Sequence, residues 1–292
     1  CLGDRVMRRL FGRVSCASIR RRPRAGIASV LVGLTLAAEA HAFVPQVDWD
    51  PDEVPQLPAF DDGGRANALR AEAYRALRQN DWRRAMSIGR EWVRLDPEDD
   101  FPWVLQAWAH AENNDYPNVV AAYNRAIDIN PQQRYPVWRS LGVAYTVLHR
   151  YDYAVTAYAR ATEIDPSEPR AWNDLCEAQL RNDNPAAALG SAQQALLREA
   201  DYAEAWSCRG QALMREKRLD EALSAFRRAI DGKTLDPRTD RANFWASLGW
   251  VYHQLNRADG VQEAVEGIHR WNADAAARFR EQFMAGREDV RR

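Results

Sequence analysis

Residues Trp138 to Pro166 read WRSLGVAYTVLHRYDYAVTAYARATEIDP. Trp138 is followed after two residues by Leu141-Gly142, and after two more by Tyr145. Nine residues later comes Ala154, then Tyr158, Ala161 and Pro166. The apolar spacing is that of two helices joined by a tight turn. Small Gly142, Ala154 and Ala161 are expected where the two helix backbones come closest. Trp138, Tyr145 and Tyr158 would fill the space around those contacts. Asp165-Pro166 closes the second helix, because proline cannot continue one.

The same pattern recurs along the chain. Trp103, Trp138, Trp172, Trp206 and Trp245 are separated by 35, 34, 34 and 39 residues. A period near 34 held over four intervals marks an array of repeated units. The second unit keeps Trp103, Ala107, Tyr116, Tyr123, Ala126 and Asn130-Pro131. The fourth keeps Trp172, Leu175, Ala188 and Ala195, but Cys176 replaces the small glycine and Ala200 the closing proline. Asp201 is expected to cap the next helix instead. The fifth has Trp206, Gly210, Ala222, Phe226 and Ala229, then extra residues around Gly232-Lys233-Thr234. The sixth has Trp245, Leu248-Gly249, Tyr252, Val261 and Val265. The first is degenerate, with Leu69 in place of tryptophan, but Ala73, Trp82, Ala85 and Leu95-Asp96-Pro97 hold the frame. On these residues the chain resembles the tetratricopeptide repeat family over about residues 65–271. The resemblance implies an all-α solenoid of about six stacked helix-turn-helix units. Residues 272–292 are read as a capping helix and tail, the polar end a solenoid needs.

The flanks differ in kind. Met7 is read as the initiator. Arg8, Arg9, Arg13 and the run Arg20-Arg21-Arg22-Pro23-Arg24 precede an uncharged apolar stretch at residues 25–38, then Glu39-Ala40-His41-Ala42. That order predicts a secretory signal peptide over residues 1–42, cleaved after Ala42 or after Ala40. The apolar stretch falls short of the ~20 residues that span a membrane. A periplasmic or secreted location follows, with no membrane insertion after cleavage. Residues 43–64 hold four prolines, six acidic residues and no basic ones. They read as a linker. Trp49 and Phe60 among its carboxylates raise the idea that it lies in the chain's own groove.

Charge and motifs narrow the function. The whole chain is −1, but without residues 1–42 it is −7, a poor match for phosphate. No nucleic-acid partner is expected. The histidines beyond the signal, His110, His149, His253 and His269, do not fall at helical metal-pair spacing. There is no Gly-x-Ser-x-Gly, phosphate-cradling loop or Cys-x-x-Cys. No cofactor and no catalysis are expected. Cys176 and Cys208 are either a disulfide, which export would permit, or two buried small apolar side chains. The second reading is preferred.

In the family, the first helix of each unit lines a groove that holds a peptide or a partner's helix. The resemblance implies groove positions Arg70, Tyr74 and Arg78 in the first unit, and Val104, Trp108 and Glu112 in the second. Arg139, Val143 and Thr146 follow, then Asn173, Glu177 and Arg181. Ser207, Gln211 and Arg215, and Ala246, Trp250 and His253, complete the wall. Tyr74, Trp108 and Trp250 are not needed for the repeat core, so they are expected to be exposed on it. Arginines beside aromatics suit an acidic partner. Arg70/Tyr74 and Arg139/Val143 depart from the lysine–asparagine clamp that some members use for chaperone tails. The expected function is an exported scaffold for a protein or peptide partner. The alternative is an adaptor that regulates a cell-envelope enzyme or holds a cell-wall glycan strand.

Overall fold

The computed structural model describes residues 64–234 and 239–284. The expected signal segment, the linker up to residue 63 and the tail from residue 285 lie outside the described residues. The described chain forms thirteen α-helices in six antiparallel pairs and a final single helix. The pairs are α1 (Gly64–Arg78) with α2 (Trp82–Leu95), α3 (Phe101–Glu112) with α4 (Tyr116–Ile129), and α5 (Tyr135–Val147) with α6 (Tyr151–Ile164). Then come α7 (Pro169–Arg181) with α8 (Pro185–Arg198), α9 (Ala203–Arg215) with α10 (Leu219–Asp231), and α11 (Arg241–Gln254) with α12 (Ala258–His269). The last helix, α13 (Ala273–Met284), packs on α12 and α11.

Each pair turns in the same way. Asn80, Asn114, His149, Asp183, Lys217 and Asn256 all have φ between 53° and 62°. Each sits two residues past the end of a first helix and folds the chain back. The N–H of the following residue bonds to a carbonyl five residues earlier, as in Asp81 to Ala76 (2.8 Å) and Arg150 to Tyr145 (2.9 Å). The left-handed residue bonds three back, closing the helix end on its own carbonyls. Asparagine and aspartate tolerate this conformation; His149 and Lys217 adopt it at a cost.

Between the helices of a unit, small residues make room for rings. A Cβ on Gly142 would lie 2.8 Å from the Tyr158 ring, and one on Gly210 would lie 2.8 Å from Phe226. The expected close approach of backbones is thus a glycine under an aromatic ring of the partner helix. In the fourth unit the equivalent pair is Cys176 and Ala192, both fully buried. In the sixth unit Val265 stands where the ring would, and a Cβ on Gly249 would meet Phe279 of α13 at 2.6 Å. The capping helix therefore supplies the aromatic that the sixth unit lacks.

Among the first helices, α7 touches α9 and, less closely, α9 touches α11, whereas no two second helices approach to that degree. The stack therefore closes toward its first helices, which form the inner wall. After α10, Lys233 N–H donates to Asp201 O (2.7 Å) and Ala203 N–H to Lys233 O (2.8 Å). Lys233 Nζ also meets Asp201 Oδ2 at 3.0 Å. Asp201 is thus not the cap of α9. Tyr202 holds that place without a side-chain bond, and Asp201 is used to seat the extra residues.

Candidate partner-binding groove

The inner wall is more polar than a core and less open than its residue types imply. In the first unit Arg70 lies over the Trp92 ring at 5.6 Å. Tyr74 packs on Phe101 at 5.7 Å, and Trp108 meets the same ring edge-on at 6.1 Å. Val104 and Trp108 are both buried. Tyr74 is half-buried, and burial pushes its hydroxyl pKa up, with Arg70 and Arg134 opposing. The expected exposed aromatics Tyr74 and Trp108 are therefore an internal cluster that joins the first two units. They bury because α3 lies against α2 and presents Phe101 to both rings. Arg78 is exposed at the end of α1.

The centre of the wall is an ionic network. Arg139 on α5 is 6% exposed, and its Nε donates to Asp174 Oδ2 on α7 at 2.6 Å. It is committed to that pair and is no free contact for a partner. Removing one member of such a buried pair leaves a charge unpaired, which costs more than the pair contributes. Asn173 is 4% exposed, and its Nδ2 donates to Glu177 Oε1 at 3.3 Å. Glu177 keeps contact with water, yet protein surrounds it on most sides. That loss of solvation is the main push raising its carboxyl pKa, against Arg181 and reinforced by Asp174. Tyr202 beside them is buried, and its hydroxyl is raised first by burial, then by Asp174, Glu204 and Glu177. Arg181 is exposed. Val143 is buried, and Thr146 Oγ1 donates to Gly142 O at 2.9 Å.

Toward the other end, Ser207 is buried and Gln211 half-buried, with Gln211 Nε2 3.5 Å from Ser207 Oγ. Arg215 turns back to donate to Leu180 O and lies 3.7 Å from Asp183. Desolvation lowers its pKa, with Asp183 opposing. Trp250 and Ala246 are half-buried, and His253 packs on Phe283 at 5.1 Å. Of the five wall arginines, Arg78 and Arg181 remain exposed.

The cysteines depart from the preferred reading. The structure joins Cys176 of α7 to Cys208 of α9 as a disulfide, with Cα atoms 6.5 Å apart. Both are buried at the closest approach of two first helices. The spacing of 32 residues, close to one repeat, was the signal for it.

Two features escaped the sequence reading. Asp174 and Glu204 hold the central charge, yet lie at positions not counted as wall. A second feature is a ladder of cations on the opening tryptophans. Arg125 lies over Trp103 (5.6 Å), Arg160 over Trp138 (5.8 Å) and Arg228 over Trp206 (5.4 Å). Each arginine follows its tryptophan by 22 residues, a spacing visible in the sequence. In the fourth unit that position is Gln194. Arg198, one turn later, covers Trp172 at 4.9 Å and bonds Gln194 Oε1 at 2.9 Å.

Among the described residues, no group of His, Cys, Asp or Glu could hold a metal ion, and no helix is long and apolar enough to cross a membrane. A tetratricopeptide repeat family model matches residues 104–169, 139–203 and 173–237. Each match begins one residue after an opening tryptophan. Anaphase-promoting complex subunit 3 of Schizosaccharomyces pombe is 32% identical over 75 residues, 26% of this chain and 11% of that protein. The matched stretches span 11% to 14% of the curated relatives' lengths. Among solved structures, Pseudomonas aeruginosa pilF aligns with a TM-score of 0.56 at 14% identity, over 74% of this chain and 97% of that one. YrrB, described as a tetratricopeptide repeat protein with an unusual peptide-binding site, aligns at 0.52 and 20% identity, over 66% and 97%. At these identities the likeness is one of fold. Period, turn geometry and family match agree that residues 104–237 are an array of tetratricopeptide repeats.

Proposed function

We propose that this chain is an exported scaffold that holds a protein or peptide segment along its inner wall and catalyses no reaction. Tetratricopeptide arrays are protein-interaction scaffolds. The observation that carries the reading is the chemistry of that wall. Arg139, Asn173 and Ser207, at wall positions of three successive first helices, are buried polar residues. A wall serving packing alone would be apolar, since buried polar groups cost free energy unless paired. Export is supported by the arginine-rich start, the short apolar stretch and the Ala-x-Ala exit of residues 1–42. A disulfide between Cys176 and Cys208 fits an oxidising compartment. An acidic part of the partner would suit the end of the wall that carries Arg70 and Arg78.

The test is site-specific photocross-linking in the native envelope. A benzophenone residue at Gln211 on the inner wall should trap a partner. The same residue at exposed Gln193 on α8 should not. Equal trapping at both positions, or none at Gln211, would remove the groove from the function. Cell fractionation should recover a soluble chain that begins at residue 41 or 43. A full-length chain in the membrane pellet would end the export reading.

A further inference from the structure

The centre of the wall holds Arg139, paired with Asp174, and exposed Arg181 one turn from Glu177. Beside them it is rich in hydrogen-bond acceptors. Asp174 and Glu177 on α7 and Glu204 on α9 surround Tyr202. One oxygen of Asp174 accepts from Arg139 at 2.6 Å. Glu204 Oε1 accepts from Thr239 Oγ1 at 2.7 Å. Among the described residues, Glu177 accepts the long bond from Asn173 Nδ2 at 3.3 Å, and its side chain is exposed.

A second, independent observation points the same way. Asn173 is 4% exposed, and its Oδ1 has no hydrogen-bond partner. A buried carbonyl without a donor costs free energy, so the few that exist call for an explanation. Asn173 Oδ1 is geminal to the nitrogen that reaches Glu177, so it belongs to the same small site. A carboxylate beside an unsatisfied carbonyl can accept but not donate. Its complement is a group with several donors and no acceptor, which describes a lysine ammonium or an arginine guanidinium. A carboxylate brought to the same place would meet Glu177, Asp174 and Glu204 together.

We propose that the segment held in the groove presents a lysine or arginine side chain to Asn173 and Glu177. The proposal rests on the groove reading and adds the charge of the partner at one position. It also excludes one occupant from this position, because residues 43–64 contain no basic residue. The partner segment is thus ordered in charge: cationic at the fourth unit, and free to be acidic beside Arg70 and Arg78.

The experiment selects displayed random dodecapeptides on the full chain and on its Glu177→Lys variant. The wild-type chain should enrich peptides with lysine or arginine at one fixed position. Glu177→Lys should lose that preference and favour aspartate or glutamate there. The best peptide, made synthetically, should bind about tenfold more weakly to Glu177→Gln, the worth of one charge-assisted bond. Replacing its basic residue with alanine should cause the same loss, and the two changes together little more. Glu177 is exposed, so the variant should fold, as circular dichroism would confirm. Peptides that bind the inner wall without a fixed basic residue, or an affinity unmoved by Glu177→Gln, overturn the proposal and leave the groove standing. Retention of peptides that cross-link only to second helices overturns both readings.

Discussion

In the third unit Gly142 lies under the Tyr158 ring, while in the fourth Cys176 and Ala192 occupy the same two places. The third unit closes the space between its helices with one large ring over one missing side chain. The fourth closes it with two small groups and has less apolar volume to bury. It also lacks the proline that ends its neighbours. What it has instead is a covalent bond from Cys176 to Cys208 on the next first helix. Repeats can therefore keep one backbone geometry while the source of stability moves from ring packing within a unit to a cross-link between units. The cross-link also ties α7, the helix that carries Asn173 and Glu177, to α9.

The largest test of this contrast is Tyr158→Ala. Losing a buried aromatic typically costs about 3–5 kcal/mol. A denaturant melt should show that loss, and a change below 1 kcal/mol would mean the ring is not the third unit's anchor. Reduction of the disulfide comes next. Opening a loop of this length should destabilise by about 2–4 kcal/mol. A chain beginning at residue 43 carries no cysteines besides these two, so thiol titration of the unreduced, denatured protein should find none free. Two titratable thiols would leave the fourth unit without its compensation. Smaller still is Ala192→Tyr, which gives the fourth unit the third unit's ring without its glycine. Overpacking against Cys176 should cost about 1–3 kcal/mol, and Gly142→Leu should cost a similar amount for the reciprocal reason. Neutral melts for both would show that the two slots are not equivalent. The smallest effect concerns the turns. His149→Gly should stabilise the third unit by about 0.5–1 kcal/mol, since glycine holds a left-handed φ without strain. Asp183→Gly in the fourth should change little, because aspartate tolerates that conformation. A stabilisation at Asp183 equal to that at His149 would remove the strain explanation.

Particular residues show how far each kind of information reaches. Trp138, Gly142 and Tyr158 were legible as one unit because helix period and proline stops are local properties. The end of α8 at Arg198 without a following proline was consistent with the frame alone. Asp201 was misplaced as a cap because its partner, Lys233, lies in an insertion that no repeat position anticipates. Trp108 was expected in the open because the repeat core does not need it. It is buried because Phe101 happens to be the residue that opens its own helix.

The sequence by itself determined the repeated unit and its number of copies, and the family resemblance implied which helix lines the inner wall. The first two follow from a pattern that each stretch of about 34 residues carries internally. Only the tertiary structure decided which wall side chains remain available. Arg139 meets Asp174, Arg215 meets Leu180 O and Cys176 meets Cys208 across 35, 35 and 32 residues. Each of those partners belongs to the adjacent unit. A side chain's charge can be read from its letter, but whether that charge is free depends on the neighbour that stacking places beside it.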